Sequence, residues 1–212
     1  MATIFDRIEA LEKKNPDFKS LEADLWAEHG HRLAALVIDS TGFSKTTNQM
    51  GIAHALAVIG RARRIMSPVF ESHSPRLQKF SADNAYAFFD SADTALACAR
   101  TVVSVIRTAA LPLVETKIYD GCVGMGYGDM LYSDPQDGFY GAEMNLASKL
   151  GEDTAEGGDI LLTASALEAL SDTHRAEFRG EEVTVSGLSL LYYRDQVGSG
   201  DGVSDISAPG TD

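Results

Sequence analysis

Residues 34–43 read Ala34-Ala35-Leu36-Val37-Ile38-Asp39-Ser40-Thr41-Gly42-Phe43, and they decide the fold. An unbroken apolar run of this length suits a strand buried on both faces. Asp39 ends the run, and the small residues after it open a helix. That helix is long and amphipathic, with Ile52, Leu56, Ile59, Met66 and Phe70 near one face; Pro68 is expected to end or bend it. Two aromatic-rich runs follow, 76–80 and 85–89, closed by Ser81-Ala82-Asp83-Asn84. They predict a β-hairpin that carries a second acid in its turn.

Further along, Ser91 suits the N-cap of a helix bearing Ala95, Ala99, Val102 and Ile106. A strand is expected at about 117–127, then Asp129-Met130-Leu131-Tyr132 and a turn from Ser133 to Gly138. Residues 141–152 read as a helix, and Gly157-Gly158 precede the strand Ile160-Leu161-Leu162. A short helix near 164–170 and small strands near 183–194 complete the pattern. The order β-α-β-β-α-β predicts an α+β fold, a ferredoxin-like core with additional C-terminal strands. Before it, Ile4, Phe5, Ile8 and Leu11 keep helical spacing until Pro16, and a second short helix spans about Leu21 to Trp26. Residues 1–31 therefore read as a helical arm packed on the domain or on a partner subunit, or as a solvated leader. Residues 32–195 form one domain, and the Gly-, Ser- and Asp-rich stretch 196–212 reads as a disordered tail.

The chain has 212 residues, 44% of them hydrophobic, enough for one sizeable core. Its net charge of −13 and the lack of a basic run beyond Arg61, Arg63 and Arg64 argue against nucleic-acid binding. Those arginines read as a solvated helix face. Cys98 and Cys122 lie in apolar surroundings at no metal-ligand spacing, so they read as core thiols of a reducing compartment. The start lacks a signal-peptide pattern and no apolar stretch would span a bilayer, so a cytoplasmic protein without a membrane partner is expected. The five histidines are scattered and carry no site.

The chemistry rests on Asp39 and Asp83. In a β-α-β-β core the carboxyl end of the first strand lies beside the hairpin, so the two acids can meet. Hard, oxygen-liganded Mg²⁺ or Mn²⁺ accompanying a nucleoside triphosphate suits such a pair. Gly42 and Phe43, opening the helix, let backbone N–H groups face the phosphates. Asn145 and Lys149 stand four apart on one helix face, an amide and a cation suited to a sugar and a phosphate. Taken singly, each has a plain structural role: Asp39 as a helix cap, Asn145 and Lys149 as a solvated face.

Together these pieces resemble the class III nucleotidyl cyclases, from about Ala34 to Tyr193. Asp39 with Gly42-Phe43 resembles the first metal motif. Lys79 to Asp83 with Ala87 and Phe89 resembles Lys-x-x-Gly-Asp-x-x-x-Ala-x-Phe, with Ala82 in place of the glycine. Gly124 and Gly128 match a Gly-Ile-x-x-Gly strand, and Gly141, Asn145, Ala147 and Leu150 match Gly-x-x-Val-Asn-x-Ala-x-Arg-Leu. Gly157 to Leu162 and Val185-Ser186-Gly187-Leu188 match the strand and the glycine turn that follow. The resemblance implies a homodimer with active sites at the interface, each with two divalent metal ions, Mn²⁺ or Mg²⁺. Asp39, Asp83 and the Ser40 carbonyl would hold the metals, and Asn145 of the other subunit would orient the ribose. A 3′,5′-cyclic nucleotide and pyrophosphate would be the products.

Two departures bear on the reaction. Lys149 stands where the family has arginine, keeping the charge but losing the planar fork. Of the base-reading pair, Lys79 matches adenylate cyclases, whereas Gly138 stands where an Asp or Thr would read adenine. Asp137 next door could substitute for it. Incomplete purine reading is similar to the bacterial pyrimidine cyclases of antiphage defence, which implies UTP or CTP as substrate and a separate cyclic-nucleotide effector. Adenylate cyclase and an inactive regulatory dimer are the alternatives.

Overall fold

The computed structural model describes residues 3–13, 17–40, 42–133, 138–185 and 188–197. In chain order the elements are α1 (Ile4–Glu12), α2 (Phe18–His29), β1 (Gly30–Ser40), α3 (Phe43–Met50), α4 (Ile52–His73), β2 (Leu77–Ser81), β3 (Asn84–Phe89) and α5 (Ala92–Ala109). There follow β4 (Pro112–Val114), β5 (Lys117–Ile118), β6 (Gly121–Leu131), α6 (Ala142–Lys149), a π-helical turn (Leu150–Thr154), β7 (Ile160–Thr163), α7 (Ala164–Glu168), α8 (Asp172–Arg175), β8 (Phe178–Val185) and β9 (Leu188–Asp195).

The large sheet runs β2-β3-β1-β6-β7-β9-β8, and β4 and β5 form a separate small hairpin. β3 and β6 flank β1 antiparallel, which gives the expected ferredoxin-like core, and β7, β9 and β8 extend it beyond β6. The central place of β1 explains its unbroken apolar run, for it is covered on both sides. Ala34, Leu36 and Ile38 meet Met66 and Phe70 of α4 and Leu96, Val102 and Ile106 of α5. Leu33, Ala35 and Val37 meet Met144 and Ala147 of α6 on the opposite face.

A row of glycines seats α6. A methyl group on Gly124 would lie 1.9 Å from the Ala147 carbonyl oxygen, and one on Gly126 would lie 2.4 Å from that of Glu143. Bare backbone at these β6 positions lets α6 rest directly on the sheet, which fixes where Asn145 and Lys149 stand.

Several boundaries differ from those expected. Pro68 lies inside α4, which continues to His73. Pro68 is on the exposed side, while Met66, Val69 and Phe70 bury the other side. The strand expected at 117–127 divides into the β5 hairpin arm and β6. The helix expected at 141–152 is α-helical only to Lys149, and the π turn completes it. The C-terminal strands begin earlier, with β8 starting at Phe178. Ser91 caps α5 as expected, its side chain accepting from the Thr94 N–H.

The N-terminal helices pack on the same chain. Ile4, Leu21 and Leu25 form a small core with Leu131, and the Ile4 N–H donates to Ser133 Oγ at 2.9 Å. Pro16, Asp137, the turn residues Ser186-Gly187 and the stretch 198–212 lie outside the described residues. Among the described residues, no helix is long and apolar enough to cross a membrane.

Candidate active site

β1 delivers Asp39 and Ser40 to its carboxyl end, where they pair with Cys122 and Gly121 of β6. The hairpin places Asp83 beside them, because Ser81 pairs with Asn84 and only Ala82 and Asp83 form the turn. Ser40 Oγ donates to Asp83 Oδ2 at 2.9 Å. The strand end and the hairpin turn, separate in sequence, thus meet as the β-α-β-β order implies. Ala82, where the resemblance implies a glycine, has a φ of +50°, the left-handed region that glycine enters without strain.

Burial holds the Asp39 carboxyl up at about 6, with Asp83, Glu152 and Asp153 adding repulsion against a bond from the Ser40 backbone. Glu152 is itself raised, by burial and then by Asp153 and Asp83. The π turn after α6 therefore brings two further acids to the corner, which motif spacing did not single out. Asn84 ties this turn to the hairpin, its Nδ2 donating to Glu152 Oε1 at 3.2 Å and to the Tyr86 hydroxyl at 3.1 Å. A concentration of carboxylates of this kind favours a bound cation. Among the described residues no three Asp, Glu, His or Cys side chains converge as a metal site. A divalent ion here would complete its oxygen shell from the main chain and a phosphate-bearing ligand.

Gly42 opens α3 with a φ of +84°, and Phe43 is the first helical residue. Next to Gly42 lies a cleft of about 250 Å³ lined by Lys45, Thr46, Gln49, Val114, Thr116 and Lys117. A methyl on Gly42 would lie 3.3 Å from Lys117 Nζ. Lys45 and Lys117 face this cleft from separate elements in a chain of net charge −13. Neither was singled out from the sequence, because only the fold of the β4–β5 hairpin brings Lys117 to α3.

A second cleft, of about 210 Å³, is lined by Lys79, Ser81, Tyr86, Gly138, Phe139, Met144 and Ser148. The structure thus brings Lys79 and Gly138 together. Phe139 forms an aromatic wall, stacked on Phe88 with centroids 4.0 Å apart. Gly138 has a φ of +100°, and a methyl there would lie 3.2 Å from the Tyr140 hydroxyl. This backbone disfavours an Asp or a Thr at that position.

Asn145 is exposed on α6 and Lys149 half-buried one turn later. Neither bonds to Asp39 or Asp83 among the described residues. Arg61 and Arg64 are exposed, whereas Arg63 is half-buried: its Nη2 donates to the Ala82 carbonyl, and its guanidinium lies 5.4 Å over the Phe80 ring. Of the histidines, His174 Nδ1 bonds Asp93 at 2.7 Å and His54 Nε2 the Leu113 carbonyl at 2.9 Å. Cys98 and Cys122 are buried and unpaired, their thiols pushed up to about 12 by burial, as core thiols should be.

No protein-family model matches the chain. No curated protein matches it. Solved structures do. The guanylyl cyclase Cya2 superposes with a TM-score of 0.66 at 18% identity, covering 78% of this chain and 92% of that one. The adenylyl cyclase CyaB from P. aeruginosa gives 0.59 at 17% identity, with 84% and 99% covered. A non-canonical dimeric guanylyl cyclase domain of the RhoGC fusion protein from the aquatic fungus Blastocladiella emersonii gives 0.63 at 13% identity, with 78% and 97% covered. At these identities the likeness is one of fold: this chain folds as the catalytic domains of adenylyl and guanylyl cyclases do.

Proposed function

We propose that this protein is a metal-dependent nucleotidyl cyclase, converting UTP or CTP to a 3′,5′-cyclic nucleotide and pyrophosphate. The observation that carries the proposal is the meeting of Asp39, Ser40 and Asp83 at the end of the central strand of a cyclase fold. Divalent ions held by Asp39, Asp83 and the Ser40 carbonyl would lower the pKa of the ribose 3′-hydroxyl and neutralise phosphate charge.

The chain's own residues do the rest. The 3′-oxygen attacks the α-phosphorus, the bond to the β-phosphate breaks, pyrophosphate leaves and the hydroxyl proton is released. Lys45 and Lys117, lining the cleft by Gly42, hold the departing pyrophosphate. Asn145 orients the ribose, and Lys149 steadies charge as a point cation where arginine would use a fork. Within one chain neither residue bonds Asp39 or Asp83, and on this reading the complete site takes Asn145 and Lys149 from a second copy. A non-canonical dimeric guanylyl cyclase domain of the same fold supports the pairing of two copies. Catalysis of this kind is positioning and electrostatics rather than covalent chemistry.

Gly138 supports the pyrimidine choice. A purine cyclase reads adenine from that position through a side chain, and the backbone here resists one. The cleft instead offers Lys79, Ser81 and Ser148 around the Phe139 wall. The product would act on a separate effector, as in bacterial antiphage signalling. The test incubates the protein with ATP, GTP, CTP or UTP and Mn²⁺ and identifies products by mass. Cyclic UMP or cyclic CMP is expected. Cyclic AMP alone would overturn the base assignment, and no cyclic product from any triphosphate would leave an inactive regulatory dimer.

A further inference from the structure

We infer that Arg63, on α4, is a positioning residue that holds the Asp83 turn in its metal-binding geometry. The inference rests on the proposed metal role of Asp83. The turn has only two residues, and Ala82 occupies a left-handed conformation at φ +50° with no glycine to ease it. A two-residue hairpin loop demands this positive φ, and alanine adopts it only under strain. Support against that strain comes from α4, where Arg63 Nη2 donates to the Ala82 carbonyl. That bond fixes the plane of the peptide joining Ala82 to Asp83, and so the direction in which Asp83 leaves the turn.

The guanidinium is held in turn. It lies 5.4 Å over the Phe80 ring, and Phe70, two turns further along α4, packs on the same ring at 5.8 Å. Phe80 belongs to β2 and leads into the turn, so Arg63 grips the hairpin both by its aromatic and by its carbonyl. With the turn so fixed, Asp83 Oδ2 stays 2.9 Å from Ser40 Oγ, beside Asp39. A planar fork above a ring is a geometry lysine cannot copy.

The test measures Mn²⁺ binding to the full chain by calorimetry, without substrate, for wild type, R63A, R63K, D83A and R63A/A82G. R63A should weaken Mn²⁺ binding about ten-fold, and R63K nearly as much, while circular dichroism stays unchanged. Adding A82G should restore most of the affinity, because glycine holds the left-handed turn without help. A purely structural arginine would not be rescued in this way. Should R63A fail to fold, R63K decides, since it keeps the stem on Phe80. Wild-type affinity in R63K or R63A, with D83A weakened, overturns the inference and leaves the metal site standing. Unchanged binding in D83A overturns both.

Discussion

The acid corner and the base cleft are built from different material. Asp39, Ser40 and Asp83 sit on a central strand and a two-residue turn, positions set by sheet register. Lys79 is also on a strand, but the opposite wall of its cleft is the irregular stretch containing Gly138 and Phe139. Register tolerates no slip without turning every buried side chain outward, whereas a loop can be remodelled at small cost to the core. On the proposed reaction, phosphate transfer would sit where the fold is stiff, and the choice of base where it is free to change.

The strongest way to break this contrast is to remove an acid. D83A or D39A should lower cyclic-nucleotide formation by about a thousand-fold or more while the melting temperature holds. Product analysis by mass would show it, and activity persisting in either variant would dissolve the corner as a catalytic unit. Next in size is Lys149→Arg, which should raise kcat about ten-fold by returning the bidentate fork. An unchanged kcat with a lower KM would instead place Lys149 in ground-state binding. At the cleft, Gly138→Asp should shift the preference for ATP over UTP by no more than about three-fold, because the backbone resists the side chain. A large gain in cyclic AMP would show the loop relaxing and would blur the difference between the two regions.

The smallest effect is on stability against pH. Asp39 has its folded carboxyl raised to about 6 from an ordinary 3.8, so folding takes up a proton between these values. The metal-free protein therefore loses stability as pH rises from about 4 through 6, and keeps its advantage below that window. Solvent reaches this half-buried group and screens the effect, so the shift should be on the order of 2 °C between pH 5 and 7.5. Melting curves of wild type and D39N would isolate it, for D39N lacks this slope. Mn²⁺ should raise the melting temperature at pH 7.5, and the rise should shrink below pH 6 as protons compete for the carboxylate.

Much of the architecture was legible because it follows short-range rules. The run Ala34–Ile38 announced a doubly buried strand, Ser91 announced a capped helix, and the paired aromatic runs announced the hairpin. Where the pattern misled, a contact across the fold had intervened. Pro68 did not stop α4 because the helix is anchored on either side of it by Met66 and Phe70. Arg63 resembled a solvated cation because sequence alone does not show that Ala82 lies beneath it. Glu152, Asp153, Lys45 and Lys117 were passed over for the same reason.

The sequence by itself determined the order of strands and helices, the placing of one acid at a strand end and another in a hairpin turn, and the shared face of Asn145 and Lys149. These depend on periodicity and turn chemistry, which act over a few residues. Only the tertiary structure decided that Ser40 bonds Asp83, that Lys79 and Gly138 share one cleft, and that Gly138 has a φ of +100°. It also showed that two further acids crowd Asp39. Such facts arise from packing between distant segments, where distances, burial and local charge are set by the whole fold at once.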